Sequence, residues 1–418
     1  MDDTPGLSGT PVAEGTAHLA RLERRGHFGI KCGLENIRAL LEALGHPDRA
    51  CPVVILAGTN GKGSTGAFLA HMLRAAGVKV GWTTSPHLSE VRERIWIDGG
   101  PVGESDLDTL LGEVFAAEAR LGLQATYFEL VIAAALLAFR REATDLALLE
   151  VGMGGRWDAT NATDPVITVL TTVGLDHQQY LGNTREAIAR EKLCTAREGR
   201  PLVLGPSLDP VWIRPLLPCA PVLHPAPPLQ ASAVRWDHST VDGHRLGLPG
   251  RHQLDNLATA FEVARRLRTL GFSLPEARLW EGATRTHWPG RLWAVPGLSG
   301  VWMDGAHNPE GARVLADHAL ACGVAPDLFF GAMGDKDLAG VAAELRRMGP
   351  RSVTFIRGEF DRYATARQLG EAWGLAPRVL TLAEAAASLR APALAPRLVT
   401  GSLYLLGDLL ATLGIHPF

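Results

Sequence analysis

Val53-Val54-Ile55-Leu56-Ala57-Gly58-Thr59-Asn60-Gly61-Lys62-Gly63-Ser64-Thr65 is the stretch that decides the fold. It begins as an apolar run rich in β-branched residues and breaks into a turn carrying glycines, one lysine and hydroxyls. Gly66 to Ala76 then continues at helical spacing up to a stop at Gly77. Strand, glycine turn and helix start together make a phosphate cradle, because successive backbone N–H groups face one anion and the helix N-terminus adds partial positive charge. Gly58, Thr59, Asn60, Gly61, Lys62, Gly63 and Ser64 are therefore the candidate phosphate-binding residues. Lys62 would reach the terminal phosphates, and Ser64 or Thr65 could offer a hydroxyl to Mg²⁺. The spacing departs from the standard P-loop: Gly63 follows Lys62 directly, and only Thr59 and Asn60 separate Gly58 from Gly61. The plainer alternative is a βα turn that needs glycine for positive φ.

Outward from this stretch, the 418 residues suit two or three domains, and 46% hydrophobic with 20% charged residues is an ordinary globular balance. A net charge of −3 offers no basic field to nucleic acid. The five cysteines (Cys32, Cys51, Cys194, Cys219, Cys322) have no paired spacing, which points to reduced thiols in a cytoplasm. The longest fully apolar run, Leu130 to Phe139, is far short of a membrane span. Met1 to Gly15 lacks the regions of a signal peptide and reads as a disordered tail. Only five lysines occur, Lys31, Lys62, Lys79, Lys192 and Lys336, among many arginines.

The remaining pattern alternates strands and helices. Helices are expected at Leu34 to Leu44, Ser105 to Leu121, Phe128 to Arg141, Asn183 to Arg197 (with Asn183 as N-cap and Glu186 completing a capping box) and Leu254 to Leu270. Strands are expected at Val78 to Thr84, Ile95 to Ile97, Leu146 to Gly152, Val166 to Val173 and Pro201 to Leu204. Pro206 to Pro249 reads as irregular or antiparallel. The fold class is α/β: an ATPase-type domain with a mostly parallel sheet over residues 16–289, then a smaller Rossmann-like domain over 290–418. A short linker at Thr286 to Gly290 separates them, and the second unit has strands near 300–303, 328–332, 352–356 and 397–400.

Chemistry-bearing residues gather at strand ends, where open α/β sheets bind ligands. Glu150 closes an apolar strand, so its carboxylate needs a partner; Mg²⁺ on ATP phosphates would supply one, an arginine the alternative. His177, after Asp176, ends the next strand and could bind a divalent metal. Arg190-Glu191-Lys192 reads from pattern alone as a solvated helical face. Asp304-Gly305-Ala306-His307-Asn308-Pro309 and Gly334-Asp335-Lys336-Asp337 end strands of the second unit, as sites or as helix-capping turns.

Taken with Ser85-Pro86-His87-Leu88, Thr126-Tyr127-Phe128-Glu129, the run Glu150 to Asn161, Pro289-Gly290-Arg291 and the GTNGKGS form of the loop, these motifs resemble the folylpolyglutamate synthase/dihydrofolate synthase family of the Mur-ligase-like superfamily. The resemblance spans about Leu34 to Gly407, and Glu150 to Asn161 is its most specific part. It implies an ATP-dependent ligase that phosphorylates a folate or dihydropteroate carboxylate and joins it to L-glutamate. By position it implies nucleotide contacts at Asn256, Arg291 and Asp304. Ser85 and Glu150 would be ligands of one Mg²⁺ and His177 a ligand of a second. Lys192 falls where the superfamily often carries a carbamylated lysine, a further potential metal ligand. Phe128, Asp158 and Ala159 fall where the pterin or pteroate is held, with Thr126, Tyr127 and Glu129 beside them. His307 and Ser402 fall at the glutamate end. Trp157 and Met153 stand where relatives commonly carry Leu, and Trp157 borders the pterin position. A monomer is expected. Two other functions share parts of this pattern. A Mur-type UDP-muramoyl ligase shares the loop, Glu and His, but usually carries a UDP-binding domain where this sequence has 57 residues. A regulatory P-loop ATP-binding protein would not need Asp304 and His307.

Overall fold

The computed structural model describes residues 17–26, 32–358 and 362–418. The expected tail at 1–15, and Lys31, lie outside the described residues. β1 (Val53–Ala57) is buried along its whole length and forms the middle of an eight-stranded sheet. The other strands are β2 (Val80–Thr83), β3 (Ile95–Ile97), β4 (Gly100–Pro101), β5 (Leu146–Glu150), β6 (Ile167–Leu170), β7 (Pro201–Leu204) and β8 (Val222–Pro225), in the order β4-β3-β2-β5-β1-β6-β7-β8. β2 through β8 pair in parallel along that order, while β3 and β4 fold back antiparallel at one edge.

A buried parallel strand must be apolar on both faces, and β1 divides its residues accordingly. Val53, Ile55 and Ala57 join a core with the helices Glu35–Ala43, Glu104–Leu121 and Tyr127–Arg141. Val54 and Leu56 join the opposite core with the helices Lys62–Ala75, Gln253–Thr269 and Glu276–Arg285. Register sets the site: Leu56 lies opposite Glu150 and Ala57 opposite Leu170. Gly58, the end of β5 and the end of β6 thus share one edge.

The Pro206 to Pro249 region divides in two. β8 extends the parallel sheet, and β9 (Ala233–Arg235), β10 (His238–Val241) and β11 (His244–Arg245) form a small antiparallel sheet. One expected cap is corrected: the helix is Arg185–Leu193, and Thr184, not Asn183, is its N-cap, accepting from the Ala187 N–H at 3.1 Å. The linker is packed rather than loose, since the Trp288 ring sits 4.5 Å from Trp82 and 5.3 Å from Trp96 between centroids.

The second sheet holds β12 (Trp293–Ala294), β13 (Val301–Asp304), β14 (Asp327–Phe330), β15 (Ser352–Arg357), β16 (Val379–Thr381) and β17 (Arg397–Thr400), ordered β12-β13-β17-β14-β15-β16. All neighbours are parallel except β12 with β13. No described helix is long and apolar enough to cross a membrane.

Candidate active site

The glycine loop leaves β1 with Gly58 at φ 148° and enters the helix Lys62–Ala75 through Gly61 at φ 86°. Both glycines are needed twice over. A Cβ on Gly58 would lie 1.9 Å from Thr171 Oγ1, and one on Gly61 2.4 Å from Asn256 Oδ1. Gly61 offers no side chain to cap the helix, so the first-turn N–H groups face the cleft as an anion site would require. The loop is tied to β6's end: Asn60 N–H donates to Thr172 Oγ1 (2.9 Å), and Thr171 Oγ1 donates to the Asn60 carbonyl (2.6 Å).

Two lysines converge on this loop. Lys62 Nζ donates to the carbonyls of Gly58 (3.0 Å) and Thr59 (3.3 Å), and Lys192 Nζ donates to Gly58 O (3.1 Å). Lys192 is 5% exposed, which overturns the reading of a solvated face from Arg190-Glu191-Lys192. Burial, and then the charge of Lys62, push the Lys192 ammonium down to about 7. Burial lowers Lys62 as well, with Glu150 and Asp176 opposing. Glu150 is pushed up to about 7 by burial, against the charges of Lys62 and Arg291 and a hydrogen bond from the Ser85 N–H. Among the described residues no three His, Cys, Asp or Glu converge as a ready-made metal cage. Mg²⁺ does not demand one, because it keeps waters and takes substrate phosphates alongside one or two carboxylates.

His177 holds the left-handed conformation (φ 50°) at the start of the helix Gln178–Leu181. Burial brings its imidazole down to about 4, against the pull of Asp176, so the ring is neutral and able to bind metal near pH 7.

The second unit closes the cleft. Arg291 and Asp304 line it with His307, Asn256 and Ser64. Asp304 accepts from the N–H groups of Leu292 (2.8 Å) and Ala306 (2.9 Å), which ties the start of the second unit to the end of β13. His307 Nδ1 faces the Gly305 carbonyl at 2.8 Å, leaving Nε2 toward Asp176 at 3.6 Å. Asp176, read from sequence only as part of a motif, is the hub between the units. It accepts from Lys336 Nζ (2.9 Å) and Asn308 Nδ2 (3.2 Å). Burial alone would raise its carboxyl, but His307, Lys336 and His177 hold it well below the usual range. The turn readings hold for Asn308 and Asp337, which cap the helices Pro309–Ala321 and Leu338–Arg346.

The loop residues Gly58 to Ser64 and Ser85, Glu150, His177, Lys192, Asn256, Arg291, Asp304 and His307 therefore meet in one cleft. The expected acceptor residues sit behind or beside it. Thr126 and Glu129 form a capping box for the helix Tyr127–Arg141, and Tyr127 is buried. The Phe128 ring covers Gly152 on the cleft wall, where a Cβ would meet it at 3.0 Å. Asp158 is buried and organises the loop that leaves β5, accepting from Gly152 N–H (2.9 Å), Met153 N–H (3.1 Å) and Thr160 Oγ1 (2.6 Å). Ala159 belongs to the core, Trp157 is 49% exposed, and Ser402 caps the last helix, Leu403–Leu413.

A phosphate loop, a strand-end carboxylate and a second α/β unit closing over both define a ligase of the Mur type, an ATP-dependent enzyme that forms amide bonds. Residues 56–194 match the Mur ligase middle domain. The chain is 33% identical over 368 residues to the dihydrofolate synthase/folylpolyglutamate synthase of Bacillus subtilis, covering 82% of this chain and 85% of that protein. Escherichia coli FolC in complex with DHPP and ADP superposes with a TM-score of 0.82 at 32% identity, covering 97% of this chain and 99% of the other. A bifunctional folylpolyglutamate synthase/dihydrofolate synthase with Mn, AMPPNP and L-glutamate bound superposes at 0.80 with 31% identity, covering 97% and 100%. The chain belongs to the dihydrofolate synthase/folylpolyglutamate synthase family.

Proposed function

We propose that the protein joins L-glutamate to a folate carboxylate through an acyl phosphate, acting both on dihydropteroate and, to extend the tail, on a reduced folate. The observation that carries this reading, in a chain of this family, is the convergence of Lys62, Lys192 and Glu150 at the glycine loop opposite Arg291, Asp304 and His307. The ATP analogue, divalent cation and L-glutamate in the related structure support the same substrates here. The N–H groups of Gly58 to Ser64 would hold the phosphates, with Asn256, Arg291 and Asp304 on the rest of the nucleotide. Lys62, now spent on its own loop carbonyls, would swing to the terminal phosphate.

A buried carboxylate beside a hydroxyl suits Mg²⁺, so Ser64, Ser85 and Glu150 would hold one ion. His177 and a carbamate on Lys192 would hold a second. Carbamylation needs a free amine, and an ammonium brought down to about 7 supplies one near neutral pH. The bound ions would offset charge building on the transferring phosphoryl group. An acceptor carboxylate oxygen bonds to the γ-phosphorus as the bond to ADP breaks, giving an acyl phosphate. The glutamate amine then attacks the carbonyl carbon and phosphate leaves. His307, held between the Gly305 carbonyl and Asp176, is the residue proposed to position the glutamate amine. Phe128, Asp158 and Ala159, with Thr126, Tyr127, Glu129 and Trp157 nearby, would shape the pterin side, and Ser402 the glutamate side. Residues 16–289 and 290–418 would act as the two closing domains of a cytoplasmic monomer, which the free cysteines fit.

The test is isotopic. Acceptor labelled with ¹⁸O in its carboxylate should pass one ¹⁸O to the released phosphate. Unlabelled phosphate beside normal amide product would rule out the acyl phosphate.

A further inference from the structure

Glu310 lies in the first turn of the helix Pro309–Ala321, yet it takes no part in capping it; Asn308 Oδ1 does that by accepting from the Gly311 N–H at 2.8 Å. Its carboxylate instead crosses to the other unit, where Asn60 Nδ2 donates to Oε2 at 2.8 Å. Asn308 Nδ2 donates to Asn60 Oδ1 at 3.0 Å. Both ends of the Asn60 amide are thus taken by the second unit, while its backbone is fixed by Thr171 and Thr172.

The receiving side is shaped for this carboxylate. Gly174 does not have a positive φ, so its backbone does not call for glycine. A Cβ at Gly174 would nevertheless lie 2.2 Å from Glu310 Oε2 and 3.0 Å from its Cδ, so it would push the carboxylate out of its place. Gly174 is also bonded to the loop, its N–H donating to Thr59 Oγ1 (3.0 Å) and its carbonyl accepting from that hydroxyl (3.2 Å). Thr59, Asn60 and Gly174 form a socket, and Glu310 fills it.

We propose that Glu310 is a positioning residue that couples docking of the second unit to the shape of the phosphate loop. When the units part, the Asn60 side chain loses both partners and is free to turn, while its backbone stays held by Thr171 and Thr172. When they dock, the Asn60 amide is fixed in the loop as shown here. Glu310 does not line the cleft. The kinetic consequence rests on the ligase reading; the docking consequence does not.

The experiment compares Glu310→Gln, Glu310→Ala, Gly174→Ala and the Glu310→Ala/Gly174→Ala double variant. Glutamine keeps an oxygen for Asn60 Nδ2, so Glu310→Gln should stay within about threefold of wild-type kcat. Glu310→Ala should lose roughly tenfold in kcat at saturating ATP with its melting temperature unchanged. Gly174→Ala should match it by closing the socket, and the double variant should be no worse than either single one. Independently, nitroxide labels at the exposed positions Val211 and Leu394, in a background without the native cysteines, report the spacing of the units with a non-hydrolysable ATP analogue. The docked population should fall in Glu310→Ala and Gly174→Ala and persist in Glu310→Gln. Additive losses, or Glu310→Ala with wild-type kcat and docked population, would overturn the proposal. A wild-type enzyme with no ligase turnover would sink the functional reading instead, and the label distances would still decide the coupling.

Discussion

Gly58→Ala is the sharpest perturbation of the phosphate loop. The alanine must hold φ near 148°, a sparsely populated conformation that costs an L-residue about 1–2 kcal/mol. Its methyl would also lie 1.9 Å from Thr171 Oγ1 and 3.2 Å from the Thr171 backbone nitrogen, so Thr171 has to move. Thr171 Oγ1 donates to Asn60 O at 2.6 Å, and losing such a bond costs about 1 kcal/mol. The total of about 2–3 kcal/mol, at roughly 1.4 kcal/mol per tenfold, predicts a loss of about 30- to 150-fold in kcat/KM for ATP. Gly77→Ala is the control. It has φ 86° but nothing within 4 Å, so it should share the backbone cost in melting temperature and leave ATP kinetics untouched. Steady-state kinetics with varied ATP, next to thermal melts, separate the two. Gly58→Ala with wild-type kcat/KM for ATP, or Gly77→Ala with an equal kinetic loss, would refute the argument that contact with Thr171 shapes the loop.

Lys62→Ala should abolish product formation while leaving the circular dichroism spectrum and melting temperature near wild type; normal turnover would remove Lys62 from catalysis. Lys192→Ala should lose activity that acetate partly restores, and full activity without acetate would dismiss the carbamate. The folded Lys192 ammonium sits near 7, below the 10.5 usual for lysine, so above pH 7 the unfolded chain binds the extra proton. In CO₂-free buffer without nucleotide or divalent cation, wild type should therefore gain stability over Lys192→Met between pH 7 and 9, by up to about 1.4 kcal/mol per pH unit. A pH-independent difference in urea melts would contradict the buried-amine assignment. Trp157→Leu should change stability by less than about 0.5 kcal/mol, because the side chain is half exposed, while altering the ratio of kcat/KM for dihydropteroate to that for tetrahydrofolate. An unchanged ratio would take Trp157 out of acceptor selection.

Much of the fold is legible because apolar runs and glycine stops coincide. Val53–Ala57, Leu146–Glu150 and Arg397–Thr400 read as strands from composition alone. The helix Glu276–Arg285 does not, since Gly282 looks like a breaker. Its glycine is there for close packing: a Cβ would lie 2.4 Å from Met72 Cα on the neighbouring helix. The helix Leu382–Arg390 carried a signal that could have found it, Thr381 and Glu384 at capping-box spacing. Lys62, Glu150 and His177 announce themselves at strand ends, but the Asp176 hub and the Glu310 key exist only once the second unit docks. Lys192 looked solvated because its neighbours Arg190 and Glu191 are charged. Only the packing of its helix against Gly155, where a Cβ would lie 2.6 Å from Glu191 O, turns the lysine inward.

The most direct measurement is product mass from purified enzyme given ATP, Mg²⁺ and L-glutamate, with dihydropteroate in one reaction and tetrahydrofolate in another. The account predicts a product heavier than the acceptor by one glutamyl residue in both, with ADP released in equal amount. No glutamylated product with either acceptor, or ADP released at the same rate without any acceptor, would contradict it.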